Sequence, residues 1–168
     1  LEEPTPRLVV LQTTREEKKL LPTIRSRVQV YRFTTIPERE VSLFLRGKTH
    51  NEILVQELMK LSSGRIGLVM TLLQDEKRLD RLRRLYDFAL LLPGKDLVDR
   101  FFLAEHLTGE DYTESDLFQF LVYLSLKLHD EGLDQHRDSL WKLQRLRRVF
   151  QDTQVNKRLW LENLFLSL

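Results

Sequence analysis

The chain has 168 residues, 31% charged and 42% hydrophobic, enough for one sizeable core or two small ones and unlike a disordered segment. Its net charge of +2 is too small to imply nucleic-acid binding by itself, and the lack of cysteine excludes disulfides and cysteine-ligated zinc. No apolar run approaches the ~20 residues of a membrane span and no signal peptide opens the chain, which begins at Leu1 and reads as the C-terminal piece of a longer protein.

In chain order, Leu8-Val9-Val10-Leu11 is a short apolar run of β character that leads to the hydroxyls of Thr13 and Thr14. Leu20-Leu21-Pro22 then predicts a turn into a short helix, because proline fixes φ and lacks an N–H that a first helical turn leaves unused. That helix ends in Arg25-Ser26-Arg27. Two residues apart, the arginines cannot share one helix face, so one packs locally while the other projects. Strand, hydroxyls, helix and projecting arginine together make a phosphate-handling layout. Val28-Gln29-Val30-Tyr31-Arg32-Phe33 alternates with β-branched and aromatic residues and reads as a second strand or exit segment. Neither strand is stable without partners, so residues 1–33 are expected to be the least stable part of the chain.

Residues 34–74 read as three short helices. Thr35-Ile36-Pro37-Glu38 and Thr49-His50-Asn51-Glu52 each match a capping box, Gly47 stops the first helix, and Ser62-Ser63-Gly64-Arg65 separates Ile53–Leu61 from Ile66–Leu73. From residue 75 to 168 the pattern is wholly helical. Leu79, Leu82, Tyr86, Ala89 and Leu90 mark one helix, ended by Pro93-Gly94; Leu97, Phe101, Phe102 and Leu107 mark the next, closed near Gly109. Leu117, Phe118, Leu121, Leu124 and Leu128 line a third, ended at Gly132, and Leu140, Trp141, Leu143, Leu146, Val149 and Phe150 a fourth. A last helix is expected over Gln154 to Leu168, completing a bundle with short connections.

Other motifs have plainer readings. Gly47-Lys48-Thr49 resembles the end of a phosphate loop, but the first glycine of that motif falls on Ser42 and a helix leads in. The histidines at 50, 106, 129 and 136 lack the spacing of a helical metal pair and read as surface or packing residues, so no metal site is expected. Lys77–Arg84 and Arg145–Arg148 are basic but have acids nearby and read as solvated faces. Trp141 and Trp160 fit a helical core better than a base-stacking platform, which needs exposed aromatics in basic surroundings. No carboxylates form a convincing acid–base pair.

Taken together, Leu1-Glu2-Glu3-Pro4, Leu8 to Thr14 and Leu20 to Arg27, in this order and at these distances, resemble the end of the AAA+ core of a bacterial DNA polymerase III clamp-loader subunit. The delta-prime type is most similar, with the gamma/tau type second. The closing stretch from Asn156 to Leu164 also resembles the end of delta-prime chains. The resemblance implies a mainly α fold: residues 1–33 as the end of an AAA+ α/β core, 34–74 as a three-helix lid and 75–168 as a helical collar. It implies that Arg27, with Ser26 in a Ser-Arg-Val version of the family's Ser-Arg-Cys motif, is an arginine finger acting on the ATP site of a neighbouring subunit. Thr13 and Thr14 become sensor-1 candidates. The place of a sensor-2 arginine falls on Gly67, with Arg65 too early to substitute, which favours delta-prime over a nucleotide-hydrolysing subunit.

Implied with the family are no cofactor on this chain, ATP and magnesium in neighbouring subunits, and no polymerase or ATPase activity of its own. The partners implied are gamma/tau-type and delta-type subunits through the collar, and the sliding clamp and primed DNA through the assembled complex, in cytoplasmic DNA replication. Two alternatives stand beside this reading: an ATP-hydrolysing gamma/tau-like subunit, and a helical interaction module unrelated to replication.

Overall fold

A computed structural model describes residues 9–14, 17, 20–34, 36–132, 134–149 and 156–168, the side chains of 148 and 149 excepted. The chain divides into two compact units, Leu1–Thr34 and Thr35–Leu168. Among the described residues there are nine α-helices and no strand, so the chain is mainly α.

Among the described residues of the first unit the α-helix is α1 (Pro22–Arg25). Leu21 is extended and Pro22 opens the helix at its first position, as the sequence predicts; the amides of Ile24 and Arg25 donate to the Leu21 carbonyl at 3.0 and 3.1 Å. The two predicted strands do not form. Residues 9–14 and 29–34 are irregular, with Leu11 90% and Phe33 95% exposed. A strand is held by a hydrogen-bonded neighbour, and neither segment has one among the described residues. Leu8 lies outside the described residues.

The second unit is built from α2 (Glu38–Arg46), α3 (Glu52–Ser62), α4 (Ile66–Gln74), α5 (Glu76–Leu91), α6 (Leu97–Leu107), α7 (Glu114–Glu131), α8 (Arg137–Val149) and α9 (Lys157–Phe165), with a 3₁₀ turn at Leu92–Gly94. Local chemistry sets the starts. Asp75, Asp96 and Asn156 cap α5, α6 and α9 through their side-chain oxygens, and Thr113 with Asp116 forms a capping box at α7. Two expected boxes are corrected. At α3 the cap is Asn51, whose Oδ1 accepts from the amides of Ile53 and Leu54 at 3.1 and 3.2 Å, while Thr49 Oγ1 accepts from Asn51 N. At α2 the cap position is Pro37, without a side-chain bond, and Thr35 lies outside the described residues.

Gly47 stops α2, and α3 ends where Ser63 adopts a left-handed conformation (φ 48°), followed by Gly64 at φ 77°. Ser63 is the non-glycine residue with positive φ among those described, so this corner carries a small backbone strain.

Packing is sequential, α2 on α3, α3 on α4 and α4 on α5, until the long α5 and α7 lie together and α8 and α9 close the bundle with α6. One core runs through these helices, from Val41, Leu45, Leu58 and Leu72 through Leu85, Ala89 and Leu107 to Phe120, Leu124, Leu146 and Phe165. Each fully buried leucine or phenylalanine contributes about 1.5–3 kcal/mol of transfer free energy, so the stability of this unit is spread over many apolar contacts. Periodicity marks the helices better than it marks burial. Leu97 and Phe102 of α6 are 50% and 65% exposed, and Trp141 of α8, expected in the core, is 62% exposed. Leu143 and Leu146 take the buried side of α8, which leaves Trp141 on the outer side. Trp160 is half-buried against the core, as expected; Phe150 and Gln154 lie outside the described residues. No helix among the described residues is long and apolar enough to cross a membrane.

Candidate functional site

The arginine pair at the end of α1 separates as its spacing predicts. Arg25 Nη2 donates to Glu17 Oε1 at 3.3 Å, and Arg32 donates to Glu17 Oε2 through Nη2 at 2.9 Å and Nε at 3.1 Å. One carboxylate therefore ties the last turn of α1 to the segment that leaves it. Ser26 caps the helix: its amide donates to Pro22 O at 3.0 Å and its hydroxyl to Thr23 O at 3.2 Å. The next amide, of Arg27, donates to Ile24 O at 3.0 Å, which fixes the backbone of that residue against the helix end. Its guanidinium is exposed and has no ion pair among the described residues. Arg25 is thus held by Glu17, whereas Arg27 is exposed and has no such partner among the described residues.

An exposed guanidinium on a short, proline-started turn can bind an anion, phosphate among the groups it fits. It stays charged at any working pH and presents a rigid fork of donors that matches phosphate. Thr13 and Thr14 stand on a different segment, the exposed irregular stretch 9–14. Glu17 is the member that sequence reading missed. It acts across eight and fifteen residues, and no local period signals such a bond.

Arg65 has a different fate. It sits at the start of α4, its Nε donates to Ser62 O at 3.0 Å, and its Nη2 reaches Gln119 Oε1 on α7 at 2.6 Å. Burial lowers its pKa below the ordinary guanidinium value, with the positive charge of Arg147 adding to the shift and Tyr123 opposing it. A side chain bound to its own unit through two of its three guanidinium nitrogens is not poised for a ligand. Gly67, exposed in the first turn of α4, offers no side chain at all. Beside this crossing, Tyr123 donates its hydroxyl to Leu61 O at 2.7 Å. Its pKa is pushed up to about 12, chiefly by burial, against the opposing pull of Gln119 and the Arg65 charge. Gln119 Nε2 is buried with no hydrogen-bond partner among the described residues, while its Oε1 accepts from Arg65.

The remaining motifs resolve as structural. Lys48 of the Gly47-Lys48-Thr49 sequence lies over the Phe44 ring, its Nζ 5.8 Å from the centroid, with helix α2 leading in. Arg83 pairs with Glu57 of α3 through two nitrogens and with Asp80 at 2.6 Å, and these bonds raise its pKa; Arg81 pairs with Asp116 at 3.2 Å. His106 packs edge-on between Phe88 and Tyr112, and His136 faces Glu131 at 3.3 Å. Among the described residues no cluster of His, Asp or Glu could hold a metal ion. A shallow cleft of 350 Å³ between Thr108, Tyr112, Glu114 and the start of α9 is occupied at its edge by the Lys157–Glu114 ion pair.

With this geometry in place, comparison with known proteins bears on the same stretch. Residues 1–37 match a family described as DNA polymerase III, delta subunit. That span contains α1, Glu17 and Arg27, and it supports a relation to clamp-loader-type subunits. It does not distinguish the delta-prime type, and it covers 37 of 168 residues, so the relation is read on the first unit. No curated protein and no solved structure matches the chain.

Proposed function

We propose that the chain is a non-hydrolysing subunit of a DNA polymerase III clamp loader, of the delta-prime type, and that Arg27 acts in trans on ATP held by a neighbouring subunit. The observation that carries this reading is the division of labour after α1. Arg25 is bound by Glu17, while Arg27, inside the stretch that matches the family, is exposed and has no ion pair among the described residues. In this reading Arg27 contacts the γ-phosphate from outside the pocket and offsets the charge that develops in the transition state. Arginine fingers contribute about 10³–10⁵ in rate. Ser26 holds the helix end that aims it, and Thr13 and Thr14 keep the position of sensor 1. The internal bonds of Arg65 favour this over an ATP-hydrolysing gamma/tau-like subunit, because that guanidinium is already used within its own unit.

Residues 34–74 and 75–168 then serve as lid and collar, the collar joining gamma/tau- and delta-type subunits into a ring that loads the sliding clamp onto primed DNA. ATP and magnesium belong to the neighbours, the chain has no catalytic site of its own, and its setting is the cytoplasmic replisome. The test is Arg27→Ala in the reconstituted complex. The reading requires ATP hydrolysis and clamp loading to fall sharply while gel filtration shows the subunits still assembled. Unchanged hydrolysis in an assembled ring would reject it.

A further inference from the structure

We propose that the outer face of α8 binds single-stranded nucleic acid, with Trp141 as a stacking surface and Arg145 beside it as a phosphate contact. An exposed indole alone carries no such meaning. Here it comes with three further features. Arg145, one helical turn on, places its guanidinium carbon 5.7 Å from the ring centroid of Trp141 and 5.7 Å from that of Trp160 on α9. Two indoles on two helices are thus bridged by one cation, and Arg147 lies 4.8 Å over the Phe118 ring on α7.

The second feature is charge. Helix α8 holds Arg137, Lys142, Arg145, Arg147 and Arg148 against the single acid Asp138, a net +4, whereas the whole chain is +2 and its remainder therefore net −2. Positive charge is concentrated on this helix.

The third is that the charge is unspent. On α5, equally rich in arginine, Arg81 and Arg83 are bound to Asp116, Glu57 and Asp80. On α8, Lys142, Arg145 and Arg147 have no ion pair among the described residues, and Glu162, the acid of α9, is paired with Arg158 at 2.8 Å. A ligand that fits must offer flat π faces to an exposed indole and repeated negative charge to unpaired guanidinium and ammonium groups. A single strand does both, because its bases are unpaired and its phosphates run alongside. A duplex hides its base faces, and an acidic peptide lacks them. The inference is independent of the role given to Arg27, and either can fail without the other.

The experiment titrates the full chain into a fluorescein-labelled oligothymidylate at low salt, followed by anisotropy and by tryptophan quenching. Binding is expected to weaken roughly 5- to 150-fold in Trp141→Ala, the range for loss of one base stack, and to be largely retained in Trp141→Phe. Arg145→Gln, at an exposed position, is expected to reduce the slope of log affinity against log salt by about 0.7. Phe102→Ala, an exposed aromatic on α6, should bind like the parent. The proposal is overturned if the intact chain does not bind, or if Trp141→Ala binds as tightly as the parent. It is equally overturned if duplex DNA, heparin or polyglutamate binds as well as the single strand.

Discussion

The two units of this chain use their apolar residues in opposite ways. Among the described residues of Leu1–Thr34, Val9, Leu11, Tyr31 and Phe33 are mostly in solvent and the α-helix is the four-residue α1. In Thr35–Leu168 a single core links α2 to α9. A short helix is marginal by itself, since nucleation costs more than one turn of hydrogen bonds returns. Stability therefore resides in the second unit, whereas the candidate chemistry, Arg27, resides in the first. The separation means that core mutations and site mutations should have different readouts.

The sharpest break in that comparison comes from truncating the core. Leu58→Ala, fully buried on α3, is expected to cost about 2–5 kcal/mol in urea denaturation, whereas Phe33→Ala should lie within about 0.5 kcal/mol of the parent. Equal losses at the two positions would erase the distinction between the units.

Next in size is a dependence on alkaline pH. Burial pushes the Tyr123 phenol up to about 12 in the folded chain from the ordinary value of about 10, so the folded state binds the proton more tightly. Its contribution, about 2–3 kcal/mol, is fully present below pH 10 and is lost as pH rises from 10 through 12. Denaturation midpoints measured across that window should fall, and Tyr123→Phe should flatten the fall. Smaller again is the cap of α3: Asn51→Ala should cost about 1 kcal/mol and Asn51→Asp much less, measured by the same denaturation. Smallest is Arg27→Ala, whose side chain is exposed and has no ion pair among the described residues: stability should shift by less than about 0.5 kcal/mol. A large shift there would mean that the residue holds the fold rather than serving a partner.

Much of the helical part was legible because its signals are local. Pro22 at the start of a short helix, Gly47 and Gly132 as stops, and the leucine spacing of α5 and α7 all appear in the structure where the pattern puts them. What failed depends on partners distant in sequence or on register within a helix. The strand readings around Val9 and Val30 rest on composition, and strands form only with neighbours. Trp141 satisfies helical periodicity, yet Leu143 and Leu146 decide which side of α8 is buried. At α3 two candidate oxygens lay two residues apart, and Asn51 rather than Thr49 met the free amides. The Arg65–Gln119 and Glu17–Arg32 bonds span 54 and 15 residues and have no trace in local spacing. Of the candidate site, the separation of Arg25 from Arg27 was legible, because an offset of two residues on a helix forces it; the carboxylate that enforces it was not.

The most direct test compares Arg27→Ala with Arg25→Ala in a reconstituted clamp-loader complex, with ATP hydrolysis followed in the presence of clamp and primed DNA. The account predicts a loss of about 10³-fold or more for Arg27→Ala and a much smaller one for Arg25→Ala, whose guanidinium is bound to Glu17. Equal activity in the two variants, both at the parental rate, would contradict it.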